Sequence, residues 1–148
     1  MQRQDFPFFH PLRVRYAEID AQAVVFNAHY LTYFDTALTE YLRSLGFLYD
    51  FATIRQMGKD FHVVKALVEY KAPIYFDEQI VVGTRPWRIG RSSITFALAI
   101  FAADEPTPRA TGEVIWVFTD LQTHKSTPLL PDFVAALQHS IQDLQTSN

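Results

Sequence analysis

The chain has 148 residues, which suits one compact domain, and nearly half of them are apolar, enough to bury a core. Its charges are mixed along the chain and sum to −3 at neutral pH, so it lacks the basic stripe that marks a nucleic-acid surface. There is no cysteine, which excludes disulfides, thiolate metal sites and a cysteine nucleophile and fits a reducing compartment.

The N-terminus runs from Met1 through Asp5 into Phe6-Pro7-Phe8-Phe9-His10-Pro11, too short and too broken by proline for a signal-peptide core. No apolar run reaches the roughly 18 residues of a membrane span. A cytoplasmic protein with no membrane span is expected. The first strand is read from about Leu12 to Glu18, where Val14 and Tyr16 alternate with Arg13 and Arg15. A loop, Asp20 to Ala23, and the trio Val24-Val25-Phe26 follow.

A long helix is expected from about Ala28 to Leu45. Tyr30, Leu31, Phe34, Ala37, Leu38, Tyr41, Leu42 and Leu45 recur every three or four positions and make one apolar stripe. Asn27 is read as its N-cap, through a side-chain oxygen that accepts from a first-turn amide, and Gly46 as its C-terminal stop. Phe47 to Met57 is read as a short second helix.

The remainder reads mainly as strands. His62, Val64, Ala66, Val68 and Tyr70 are taken to share one face of a strand reaching about Ala72, with Lys65, Glu69 and Lys71 on the other. A strand from Glu78 to Ile89 leads to a turn at Gly90-Arg91. Ile94, Phe96, Leu98 and Ile100, then Val114, Trp116 and Phe118, alternate with mostly smaller or polar residues, the pattern of a sheet with one packed side. Pro131 opens a closing amphipathic helix. The order is strand, long helix, four strands, short helix. Short connections between successive strands imply an antiparallel sheet. The broad apolar face of the long helix implies that this five-stranded sheet curves around it, an α+β hotdog arrangement. No repeat or linker divides the chain, so one domain is expected over 1–148, with its core at about 12–144.

The segment RVRYAEIDAQAVVFNAHYLTYFD, from Arg13 to Asp35, resembles the opening of the 4-hydroxybenzoyl-CoA thioesterase-like family: an aspartate closing the first strand, a short loop, two apolar residues and a Tyr-x-x-x-Phe helix. EYKAP (Glu69 to Pro73), RIGRSS (Arg88 to Ser93) and PLLP (Pro128 to Pro131) fall in that family's usual order. Two positions depart from it. Ala23 stands where glycine is usual, which implies a different turn, and Asn27 stands where many relatives carry histidine, which removes any histidine-assisted step there.

The resemblance implies an acyl-CoA thioesterase with Asp20 as nucleophile or general base, since a thioester carbonyl needs an attacking oxygen and a home for the oxyanion. It points the backbone N–H at Asn27, at a helix start, toward that oxyanion. The other reading of Asp20 is a carboxylate that forms a turn, and of Asn27 a cap alone. Glu18 is read as exposed or paired with an arginine. His29 and Tyr30 are assigned to the substrate pocket, although Tyr30 also belongs to the core stripe. Phe26, Tyr33, Phe34 and Phe61 are read as either acyl tunnel or core. Lys59, Lys65, Arg85, Arg88 and Arg91 are the basic candidates for the phosphates of CoA, with Lys59, Arg91 and Ser92 assigned to the substrate. The scattered histidines lack metal-ligand spacing, so no metal is expected; no cofactor is expected either, CoA being part of the substrate. The family's assembly implies a homodimer or homotetramer, with the strand after the long helix pairing with its copy. A hotdog hydratase or dehydratase, and a non-catalytic binder of acyl thioesters or lipids, are the competing functions.

Overall fold

The structure, a computed structural model, describes residues 1–47 and 51–146. Five strands, β1 (Phe8–Arg13), β2 (Lys59–Tyr70), β3 (Gln79–Ile89), β4 (Ser93–Ala102) and β5 (Pro108–Asp120), form one antiparallel sheet in the order β1-β3-β4-β5-β2. Helix α1 (His29–Ser44) lies against the concave face, the short α2 (Phe51–Met57) precedes β2, and α3 (Pro131–Thr146) closes the core. This is the expected hotdog arrangement.

The alternation in β4 and β5 works as read. Ile94, Phe96, Leu98, Ile100, Val114, Trp116 and Phe118 are all buried on the side facing α1, where they meet Tyr30, Phe34, Ala37, Leu38, Tyr41 and Leu42. A side chain at Gly112 would collide with the Phe34 ring and the Leu67 carbonyl, so the bare glycine lets the helix sit down on the sheet. Phe133 and Leu137 of α3 complete this core. A smaller cluster forms on the outer face, where Phe6 and Phe9 cover Ala99 and Phe101.

Four boundaries differ from the sequence reading. Strand β1 lies earlier, over Phe8–Arg13, and Tyr16–Glu18 is a 3-10 turn, so Glu18 and Asp20 are not neighbours on one continuing strand. Helix α1 begins at His29, and Ala28, in a helical conformation and without a side-chain capping bond, holds the cap position expected of Asn27. The second helix starts at Phe51 rather than Phe47, with 48–50 outside the described residues. In β2 a bulge between Val63 and Lys65 breaks the assumed alternation. Phe61 and Val63 pair with inward-facing Phe118 and Trp116, while His62 pairs with Val117, so His62 parts from Ala66, Val68 and Tyr70.

The two sheet edges are unlike. Edge strand β1 is short and carries Pro11. Edge strand β2 is twelve residues long and exposes Val63, Val64, Leu67 and Tyr70.

Candidate active site

Asp20 sits next to the tip of a small hairpin, opposite Val24. The backbone N–H of Phe26 donates to the Glu18 carbonyl (2.9 Å), Ile19 bridges Val25, and the Asp20 N–H donates to the Val24 carbonyl (2.9 Å). Ala21 to Ala23 form the tip, closed by the Ala23 N–H on the Asp20 carbonyl (3.0 Å). One carboxylate oxygen of Asp20, Oδ1, accepts from the Gln22 N–H at 2.8 Å; among the described residues nothing hydrogen-bonds Oδ2. Ala23 takes φ +61°, so the left-handed conformation that glycine would have adopted freely is adopted here by alanine.

The hairpin is docked on the segment between β2 and β3. The Val25 N–H donates to the Ile74 carbonyl (2.8 Å), the Phe76 N–H donates to the Ala23 carbonyl (3.1 Å), and Val24 bridges Tyr75. Val25 and Ile74 are buried beneath it.

The hairpin's second arm runs directly into α1. The His29 N–H donates to the Phe26 carbonyl (3.0 Å), whereas among the described residues nothing accepts from the N–H of Asn27 or of Ala28. An uncapped helix start of this kind carries partial positive charge and points free donors outward. The Asn27 carbonyl accepts from the Tyr70 hydroxyl (3.1 Å), which ties the helix start to the end of β2, and the Tyr70 ring meets Tyr30 edge-on at 4.8 Å. Tyr30 is buried, as its place in the stripe predicts. Burial and then Tyr70 push its hydroxyl above the ordinary range; the Asp20 carboxylate adds to this and Arg109 opposes it. His29 is half-buried, its ring edge-on to exposed Phe26 at 6.0 Å. Tyr33 and Phe34 are core, and Phe61 packs on Trp116, Phe118 and Phe133.

Glu18 is buried, and paired with an arginine as one of its two readings had it. Its Oε1 accepts from the Arg15 N–H (2.8 Å) and the Tyr33 hydroxyl (3.0 Å), and Oε2 from the Arg15 guanidinium (3.2 Å). Burial alone would raise this carboxyl. The donors outweigh burial and hold it below its ordinary value, while burial and the carboxylate together push the Tyr33 hydroxyl up.

The structure does not bring Lys59, Arg91 and Ser92 to Asp20 within one chain. Lys59 opens β2, opposite Asp120, and Arg91-Ser92 form the β3–β4 turn, where their carbonyls accept from Leu129 (2.9 Å) and Phe118 (2.8 Å). Asp20 and Asn27 lie at the Tyr70 end of β2, the end opposite Lys59. Lys65 is engaged by Glu113 (3.0 Å) and Arg85 by the Asp5 carbonyl (2.9 Å). Between α1 and the bare β2 edge runs a groove of about 370 Å³, lined by Leu31, Thr32, Leu38, Val63 and Ala66 among others. Among the described residues no group of three or more acidic or histidine side chains could hold a metal ion, and no helix is long and apolar enough to cross a membrane.

Sequence reasoning missed three contributors: Tyr70, Arg109 and the Glu18–Tyr33 pair. The alternation puts Tyr70 on a strand face and carries no mark of the helix start it holds, and nothing in the spacing of Arg109 and Glu78 marks the ion pair they form (3.3 Å).

Residues 22–108 match the family model described as the thioesterase superfamily, a stretch that begins two residues past Asp20. An acyl-CoA thioesterase, YbgC of Haemophilus influenzae, is 32% identical over 136 residues, covering 91% of this chain and 97% of that protein. A putative esterase of Aquifex aeolicus is 35% identical over 104 residues, covering 70% of this chain and 80% of its own. Among solved structures, a DHNA-CoA thioesterase from Staphylococcus aureus superposes with a TM-score of 0.80 at 27% identity, over 94% of this chain and 93% of that one.

Proposed function

Because the chain belongs to the thioesterase superfamily, we propose that it hydrolyses acyl-CoA thioesters to a free acid and CoA, with Asp20 supplying the attacking or proton-accepting carboxylate. The observation that carries the reading is a half-buried carboxylate, one oxygen of which has no partner among the described residues, on a hairpin whose second arm runs into a helix start with unclaimed Asn27 and Ala28 amides. Two routes are open to Asp20. Oδ2 attacks the carbonyl carbon, the C–S bond breaks as CoA thiolate leaves, and water cleaves the acyl anhydride. Alternatively the carboxylate takes a proton from a water that attacks instead. In both, negative charge collects on the carbonyl oxygen, where the Asn27 N–H receives it. One such preorganised donor is usually worth about 10²–10³ in rate.

The nucleotide half of the substrate is assigned to Lys59, Arg91 and Ser92 through a second copy of the chain. A long edge that exposes apolar side chains, as β2 does with Val63, Val64, Leu67 and Tyr70, is a template for pairing. Antiparallel pairing with its own copy about a two-fold axis lays the Lys59 end of one strand beside the Tyr70 end of the other. The basic β3–β4 turn of one subunit is then on the same side of the dimer as the Asp20 hairpin of its partner, and a homodimer or a tetramer of such dimers follows. His29 is placed at the pocket mouth, and the groove beside β2 takes the apolar arm of the substrate.

The test is release of free thiol from short, long and aromatic acyl-CoAs, by a sample whose mass is read by light scattering. Turnover of at least one ester by a dimer or tetramer is expected. Tight binding without thiol release would establish a binder instead, and a monomer at micromolar concentration would remove the shared site.

A further inference from the structure

Arg109, near the start of β5, is the most fully engaged cation among the described residues, and its contacts converge on one segment. Its guanidinium donates to the Pro73 carbonyl (2.7 Å), to both oxygens of Glu78 (3.3 and 3.5 Å) and to both oxygens of Glu105 (2.9 and 2.8 Å). Its own carbonyl accepts from the N–H groups of Lys71 (2.9 Å) and Ala72 (3.0 Å). Only 14% of the side chain is exposed, although Glu105 itself is about half exposed. Glu78 in turn takes the Tyr75 N–H on Oε1 (2.8 Å), and its carbonyl takes the Val14 N–H (3.0 Å). Arg109 thus grips the segment 71–78 at both ends, and the middle of that segment, Ile74 to Phe76, is the surface on which Ala23 to Val25 are docked.

We propose that Arg109 is a positioning residue of the active site, which fixes the Asp20 hairpin by clamping the segment it is docked on. The inference rests on the reading of Asp20 as the catalytic carboxylate. The planar fork of arginine, with five donors, reaches a carbonyl and two carboxylates at once; lysine cannot reproduce that geometry. A small misplacement of a reacting group is enough to cost about 10²-fold in rate, so a clamp at this distance has a kinetic signature.

The experiment compares Arg109→Met, Arg109→Lys, Glu78→Gln and Glu105→Gln in the full-length protein. It reads kcat and KM for thioester hydrolysis and amide hydrogen exchange. In Arg109→Met, kcat should fall by about tenfold or more with KM within about threefold. Exchange at Val25 and Phe76 should accelerate by about tenfold or more, while β4 keeps its protection. Arg109→Lys should recover part of both. Glu78→Gln should move both in the same direction by less, and serves if Arg109→Met loses protection in β4 as well. Glu105→Gln breaks the ion pair but leaves every contact to 71–78, and should stay near wild type. Undisturbed exchange at Val25 and Phe76, or faster exchange with full kcat, overturns the proposal; so does an equal loss in Glu105→Gln, which would make Arg109 a general stabiliser. Asp20→Asn run beside these variants separates the two readings. If it keeps turnover, the role of Asp20 fails, whereas the exchange data still decide whether Arg109 holds the hairpin.

Discussion

Two carboxylates lie two residues apart at either end of the same short ladder, and the protein surrounds them in opposite ways. The Glu18 end is closed: its side chain is buried under Arg15 and Tyr33, and three donors occupy its oxygens. The Asp20 end is open: one oxygen is used to shape the turn and, among the described residues, the other has no partner. A carboxylate with donors on both oxygens is a fixed structural charge, because any reaction would first have to break its bonds. A carboxylate held by one oxygen is oriented and still able to react. On the proposed reading of Asp20, the closed end carries the hairpin and the open end carries the chemistry.

The largest effect that would sharpen this contrast is at the open end. Asp20→Asn keeps the shape and the Oδ1 acceptor for the Gln22 N–H, but removes the base and nucleophile. A fall in kcat of at least about 10²-fold is expected, the usual scale for a positioned acid–base group, with a much smaller change in KM and an unchanged melting temperature. Near-full turnover in steady-state assays of this variant would erase the distinction between the two ends.

At the closed end the effect should fall on stability. Glu18→Gln replaces a charged acceptor of three bonds with a neutral amide whose NH2 faces donors, and should cost about 1–3 kcal/mol, read from urea unfolding, with kcat altered little once the protein is folded. Tyr33→Phe, which removes one of those donors, should cost about 1 kcal/mol. The pH dependence gives the sign. Glu18 is held below its ordinary value of 4.5 in the folded protein, so the folded state releases this proton more readily than the unfolded one. Its contribution is full above the ordinary glutamate range and is lost as pH falls through that range toward the folded value. The stability gap between wild type and Glu18→Gln should accordingly be widest near neutral pH and narrow below about pH 4. A gap that is constant with pH would mean that the charge of Glu18 is not what holds the hairpin.

The core of this fold was legible in the chain because burial imposes periods that sequence preserves. The three-to-four spacing of α1 and the alternation of β4 and β5 placed Phe34, Leu38, Phe96 and Trp116 correctly. What could not be read depended on events without a period. The bulge in β2 inserts one residue and reverses the faces of Phe61 to Val63, and the 3-10 turn at Tyr16–Glu18 ends an alternation that Val14 and Tyr16 had suggested. The motif marks Asp20, whereas the sequence leaves Glu18 open between an exposed carboxylate and one paired with an arginine. Its burial and its bond to Tyr33 depend on a helix that begins eleven residues later. The hold of Arg109 on 71–78 had no local mark, since Glu78 and Pro73 lie 31 and 36 residues away in the chain and its near partner, Glu105, lies outside that segment.

The smallest effect concerns the hairpin tip, next to the Asp20 end. Ala23 is held at φ +61°, where the Cβ of an L-residue crowds the following carbonyl at a cost of roughly 1–2 kcal/mol. Ala23→Gly removes that crowding. It also gives the unfolded chain more freedom, which offsets about 0.4–1 kcal/mol of the gain. A net rise in stability of up to about 1 kcal/mol is therefore expected. The turn itself should not change, because three bonds fix it independently of the side chain: Asp20 N–H to Val24, Ala23 N–H to Asp20, and Phe76 N–H to Ala23. With the turn fixed, Asp20 stays where it is, and kcat should remain within about twofold of wild type, a change well under 1 kcal/mol in barrier. Ala23→Val supplies the opposite sign, since a β-branched residue is a genuine outlier at positive φ, and should destabilise. If Ala23→Gly gained stability but lost activity severalfold, the strain at Ala23 would itself be orienting Asp20, and the open end of the hairpin would owe its geometry to backbone strain rather than to its docking on 71–78.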